Sequence, residues 1–365
     1  MKKINLKSTK NIIIAFICLL FFAINSSFCF NQLHALCEEN KVSNNQKCIV
    51  LDSYSGRVIY EENSNEKAYM ASTTKILTAI TVIDNCKLDE QVLITKEMCG
   101  IEGSSIYLEV GEILTVKDLL YGLMLRSGND CAVALAIHCS KSIRDFAILM
   151  NETANKIGAK SSNFTNPHGL HDSNHYTTAY DLALITRYAM KNQSFREIVG
   201  CKSIRIPFTT RNTVRLLKNK NKMLSLYEGC NGVKTGYTKK SGRCLVSSCN
   251  KNGLEFICVV LNCPPMWEKS AELLDYCYDN FNKHVIAKKD DIYDFIDVKD
   301  SNEQRGLYIK NDLILPLKTD EIETLNIVKE YPREIKKETK KDECIGNIKI
   351  YIKNNLIFTE KIYTI

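Results

Sequence analysis

Hydrophobic and polar positions change their period along the chain, and the changes divide it into elements. Residues 48–52 and 57–61 carry β-formers such as Ile49, Val50, Val58 and Ile59 on either side of a polar turn at 53–56, the pattern of a hairpin. Over 72–84, Ile76, Leu77, Ile80 and Ile83 recur at helical spacing, which predicts a buried helix opening at Ser72. Helical periodicity continues over 116–125, 130–139, 143–157 and 178–190. It then gives way to strand patterns at 203–208, 214–218, 229–235, 243–250 and 254–261, with a closing helix at 267–282. An early hairpin and late strands around a helical middle predict an α+β domain whose two ends share one antiparallel sheet.

From residue 285 the patterns are short and strand-rich. Ile348, Ile350 and Ile352 alternate with Lys349, Tyr351 and Lys353, ahead of a turn at Asn354-Asn355 and a further run from Leu356. The expected division is therefore a large domain over 38–284 and a small β-rich domain over 285–365. The last residues lack the pattern of an amphipathic helix that lies on a membrane.

The first 29 residues read as a signal peptide: Lys2, Lys3, Lys7 and Lys10 precede an apolar stretch, 12–24, that is short for a membrane span. Cuts after Cys29 or after Ala35 both fit, and an uncleaved anchor is the alternative. The expected location is secreted or extracytoplasmic, in the wall or on the outer face of the cytoplasmic membrane. Membrane contact is expected to be weak or to run through an uncleaved signal.

The formal charge is +7, and removing four lysines and no acid with the first 29 residues leaves +3, too little for a nucleic-acid binder. Sixteen cysteines are many for an exported chain, yet most sit singly inside apolar runs, with no CxxC pair and no Cys/His metal spacing. Buried free thiols are the expectation, with no metal and no cofactor.

Three short motifs carry chemistry. In Ser72-Thr73-Thr74-Lys75, three-residue spacing on a helix places hydroxyl and amine on one face. Lysine can take the hydroxyl proton only when neutral, which requires burial or a nearby cation to lower its pKa. Ser127-Gly128-Asn129 offers a hydroxyl for proton relay and an amide for a peptide group. Lys234-Thr235-Gly236, at the end of a strand, offers an ammonium and a hydroxyl to an anionic substrate end, and Gly236 lets the backbone approach. Each alone is ordinary turn chemistry; the three in this order are specific.

Together with Asn166-Pro167-His168-Gly169-Leu170, His175-Tyr176-Thr177-Thr178-Ala179-Tyr180-Asp181 and Tyr237-Thr238, these motifs resemble the low-molecular-mass D-alanyl-D-alanine carboxypeptidases of the penicillin-binding and serine β-lactamase superfamily. The resemblance covers about 47–282. It implies the transpeptidase-like fold of that superfamily, with a small all-β C-terminal domain resembling that family's. It also implies removal of the terminal D-alanine from peptidoglycan stem pentapeptides through an acyl-enzyme, with β-lactam antibiotics as inhibitors. Ser72 would be nucleophile, Lys75 general base, and Ser127 with Asn129 proton relay and substrate clamp. Lys234 and Thr235 would hold the terminal carboxylate, and the backbone NH groups of Ser72 and Tyr237 would form the oxyanion hole.

His168, His171 and His175 have spacings that would share a helix face, but Asn166-Pro167 and Gly169 break a helix there, which argues against a metal cluster. A Ser-His-Asp triad is unnecessary where Lys75 supplies the base. A β-lactamase would carry Ser-Asp-Asn and a deacylating glutamate in place of Ser127-Gly128-Asn129. A D,D-endopeptidase would use the same chemistry on another leaving group, and a non-catalytic wall-binding protein would not need every motif residue.

Overall fold

The computed structural model describes residues 45–365, so the expected signal segment at 1–29 lies outside the described residues. The predicted hairpin forms from β1 (Lys47–Asp52) and β2 (Val58–Glu62). The helical middle comprises α1 (Lys75–Asn85), α2 (Val116–Leu125), α3 (Asn129–Ser140), α4 (Ile143–Ile157), α5 (Ala179–Met190) and α6 (Gln193–Gly200). Strands β3 (Cys230–Thr238), β4 (Gly242–Lys251) and β5 (Leu254–Leu261) then return to the hairpin, and α7 (Met266–Asn280) follows. The result is one antiparallel sheet in the order β2-β1-β5-β4-β3, so the two ends of this region share a sheet as expected.

The sheet is covered on both faces. Ile49, Leu51, Val246, Ile257 and Val259 join the helical core, whereas Cys48, Val50, Phe256, Cys258 and Val260 pack with Leu273 and Leu274 of α7. That is why β1 is buried at every position and reads as a continuous apolar run rather than an alternating strand. The pattern over 72–84 predicts a buried helix. In the fold α1 is buried on all sides from Lys75 to Val82, because it runs between α2, α3, α4 and α5. The strands predicted near 203–208 and 214–218 pair with each other as a separate hairpin and do not join the main sheet.

Helix ends follow local rules. Ser142 and Thr178 cap α4 and α5 by accepting from the backbone NH groups of Asp145 and Asp181, and Gly158 ends α4 at φ +98°.

Beyond α7 the chain is mostly β. Asn282–Ala287 pairs with Leu313–Leu317, and six further strands form a second sheet. Ile348, Ile350 and Ile352 are buried, as their alternation predicts. The hairpin loop there is Lys353-Asn354, both at positive φ, one residue earlier than expected, and this is the geometry of a tight two-residue turn. Arg57 holds this region against the hairpin by donating to the Pro316 carbonyl at 2.7 Å and pairing with Glu321, and the Tyr54 hydroxyl donates to Glu360 at 3.0 Å.

Candidate active site

Ser72 lies in a short 3-10 turn, Ala71–Thr74, that leads into α1. Ala71 holds φ at +48°, a left-handed conformation that non-glycine residues seldom adopt outside special sites. The three-residue spacing brings Lys75 Nζ to 3.1 Å from Ser72 Oγ. Lys75 is fully buried, and its Nζ also lies 2.7 Å from Asn129 Oδ1 and 2.6 Å from the His168 carbonyl. Those two oxygens can only accept. A neutral amine has two N–H donors and one lone pair, so with both donors committed the lone pair is left facing the Ser72 hydroxyl. Burial first, and then the Lys234 and Lys220 charges, hold the Lys75 pKa well below its ordinary value.

Asn129 opens α3, with Ser127 before it at φ +62°. The Asn129 Nδ2 donates to the Glu102 carbonyl at 2.5 Å and its backbone NH to the Ser104 carbonyl at 2.7 Å. Gly103 is required under that amide: a Cβ there would lie 2.7 Å from Nδ2, at φ +93°. Asp130, buried, accepts from the NH groups of Ile106 and Leu108 at 3.1 Å and from the Ser105 hydroxyl, tying the 102–108 segment to α3. None of these supports is apparent from the motif alone.

Strand β3 supplies the third wall. It runs on to Thr238, so Lys234 stands inside the strand and not at its end. Lys234 is buried, and that burial, followed by the Lys220 charge, pushes its pKa down to about 7. Gly236 lets β3 press against the serine turn, since a Cβ there would meet the Met70 carbonyl at 2.9 Å and the Ser72 nitrogen at 3.1 Å. Ser72, Ser127, Thr235 and Tyr237 face one cleft of about 420 Å³, rimmed by Lys220 and Arg243, with no carboxylate among its lining residues. Such a cleft favours an anionic ligand.

The three histidines have separate duties. His175 Nδ1 accepts from the Thr165 NH at 3.0 Å, so its Nε2 carries the hydrogen and donates to Thr74 Oγ1 at 2.8 Å. Thr74 Oγ1 in turn donates to the Ala71 carbonyl at 2.8 Å. Burial lowers the His175 pKa to about 3, so the ring is neutral. His168 contributes its carbonyl to Lys75, and His171 packs edge-on against Tyr69. Gly169, at φ +84°, passes so close to the turn that a Cβ would fall 1.9 Å from the Ala71 carbonyl. Thr74, His175 and Gly169 thus brace the serine turn, a duty that the motifs containing them do not reveal.

The family model described as D-alanyl-D-alanine carboxypeptidase matches residues 36–264. The chain belongs to this family. A second model, described as the C-terminal domain of penicillin-binding protein 5, matches residues 281–365. D-alanyl-D-alanine carboxypeptidase DacF of Bacillus subtilis (strain 168) is 31% identical over 294 residues, spanning 78% of this chain and 75% of the relative. The D-alanyl-D-alanine carboxypeptidase of Streptomyces sp. (strain K15) is 32% identical over 245 residues, 62% of this chain and 84% of that one. Among solved structures, penicillin binding protein 5 from Haemophilus influenzae has a TM-score of 0.73 at 24% identity, covering 87% of this chain and 96% of its own, a likeness of fold. In this carboxypeptidase, then, all three motifs converge on one cationic cleft.

Proposed function

We propose that this serine D-alanyl-D-alanine carboxypeptidase removes the terminal D-alanine from peptidoglycan stem pentapeptides through an acyl-enzyme on Ser72. The observation that carries the reading is the committed geometry of Lys75. Its donors are taken by Asn129 and His168, and its remaining position faces Ser72 Oγ.

The Ser72 oxygen attacks the carbonyl carbon of the penultimate D-alanine while its proton passes to Lys75 Nζ. Charge developing on the carbonyl oxygen is met by the backbone NH groups of Ser72 and Tyr237. When the C–N bond breaks, the departing amine takes a proton relayed from Lys75 through Ser127, leaving the acyl ester on Ser72. Water then attacks the ester by the same proton path and frees the serine. Lys234 and Thr235 receive the terminal carboxylate, whose charge raises the Lys234 pKa and restores its cation. Asn129 accepts from Lys75 through Oδ1 and donates one Nδ2 hydrogen to Glu102, so it holds the base while its second Nδ2 hydrogen is left for the substrate's peptide group. A β-lactam presents a comparable carbonyl and carboxylate and is read as an inhibitor that acylates Ser72.

We read 38–284 as the catalytic domain and 285–365 as a small β domain, acting outside the cytoplasm. Among the described residues no helix is long and apolar enough to cross a membrane. Membrane contact is therefore read as weak, or as running through the segment at 1–29. The test is release of D-alanine from a diacyl-lysyl-D-Ala-D-Ala peptide: the parent releases it and Ser72→Ala does not. Equal release by the two proteins would remove Ser72 from the mechanism.

A further inference from the structure

Helices α1 and α3 meet at the active site through Lys75 and Asn129, and they converge a second time at their other ends. Cys86 is the C-terminal cap of α1, Glu90 lies four residues on, and His138 and Cys139 occupy the last turn of α3. The Cys86 Sγ, a Glu90 carboxylate oxygen and a His138 ring nitrogen all lie within 4.8 Å of one another. His138 Nε2 is 2.9 Å from Glu90 Oε2, and the Cys139 thiol stands beside that of Cys86, outside the three-atom cluster. His138 and Glu90 are 23% and 41% exposed, so the group opens to solvent on one side while both thiols are half-buried.

This donor set is chemically particular. Two thiols, an imidazole and a carboxylate suit a borderline-soft ion and poorly suit Mg²⁺ or Ca²⁺. With bonds of roughly 2.0–2.3 Å, tetrahedral donors stand roughly 3.3–3.8 Å apart. The spread of Cys86, Glu90 and His138 accommodates an ion after the His138–Glu90 hydrogen bond opens, and the fourth donor, Cys139 Sγ, has to turn in from its place beside Cys86. The sequence concealed the group, because its members fall at 86, 90 and 138–139 and only folding of α1 beside α3 joins them.

We propose that Cys86, Glu90, His138 and Cys139 form a binding site for one divalent cation of the Zn²⁺ class. Binding replaces the two thiol protons, which pass to solvent, with bonds from the thiolates to the ion, and His138 binds as the neutral imidazole. The ion ties together the ends of the two helices whose opposite ends carry Lys75 and Asn129. At 1.5 Å per residue it sits ~15 Å along α1 from Lys75. It is a clamp on the helices that carry the catalytic motifs, outside the cleft itself, and it does not depend on the peptidase reading.

The test uses the full chain, purified with reductant and titrated with Co²⁺ as a spectroscopic probe. About one ion per chain is expected, with the intense visible absorption of a tetrahedral site and a thiolate charge-transfer band, both displaced by Zn²⁺. The thermal midpoint should rise with metal concentration. Cys86→Ser with Cys139→Ser should abolish the charge-transfer band, and Glu90→Gln, a change at the exposed member, should weaken binding at least ~10-fold. Circular dichroism reports folding in every variant, and Glu90→Gln keeps the test valid if the double variant does not fold. Absence of a band in the folded parent would overturn the proposal. So would a band that persists unchanged in a folded variant, or a Cys86–Cys139 disulfide mapped in a chain that takes up no metal.

Discussion

The brace beneath Ser72 gives a sharp expectation for Thr74→Val. The substitution keeps the branched shape and removes only the hydroxyl, which accepts from His175 Nε2 and donates to the Ala71 carbonyl, each at 2.8 Å. Thr74 is fully buried and His175 nearly so, so water cannot replace either bond. Losing a net ~1 kcal/mol for each of the two hydrogen bonds and leaving a buried N–H unpaired at ~1–3 kcal/mol gives about 3–5 kcal/mol in all. That loss should lower the denaturant midpoint of the catalytic region without changing the slope of the transition. The same bonds fix the turn carrying Ser72, and a small misplacement of a reacting group can cost ~100-fold. We therefore expect acylation by a fluorescent penicillin to slow ~10–100-fold at saturating folding conditions, with Thr74→Ser restoring most of it. A Thr74→Val protein with the parent's midpoint and acylation rate would refute the brace.

Other consequences are directly measurable. The Lys75 amine must be neutral to act and its pKa is held well below 10.5, so acylation should rise with pH and level off well under that value; a profile that climbs up to the ordinary lysine range would contradict this. Lys234 is displaced to about 7 from 10.5, so across that window the unfolded chain binds more protons and stability rises with pH. Lys234→Met should flatten that rise, seen in denaturation at several pH values, while D-alanine release is lost. Gly236→Ala places a methyl 2.9 Å from the Met70 carbonyl, and acylation should fall ~100-fold as β3 moves off the serine turn; an unchanged rate would show that the close approach is dispensable.

The parts of this architecture that depend on local pattern could be read before folding was known. The helical spacing of Ile76, Leu77, Ile80 and Ile83, the alternation at Ile348, Ile350 and Ile352, and the three motifs all follow from period and turn chemistry. What escaped depends on partners distant in sequence. The His168 carbonyl can be placed on Lys75 only by the loop that carries it, since a carbonyl has no sequence signature. Asp130 belongs to no motif, yet it organises the 102–108 segment beneath Asn129. The Cys86, Glu90 and His138 cluster, with Cys139 beside it, likewise comes from two helices packed side by side.

Peptide mass mapping after a short exposure to penicillin tests whether a neutral Lys75 delivers Ser72 as the nucleophile. The account predicts one acyl adduct, on the peptide containing Ser72, formed in the parent, absent in Ser72→Ala and at least ~100-fold slower in Lys75→Met. An adduct on another residue, or one that forms at the parent rate without Lys75, would contradict it.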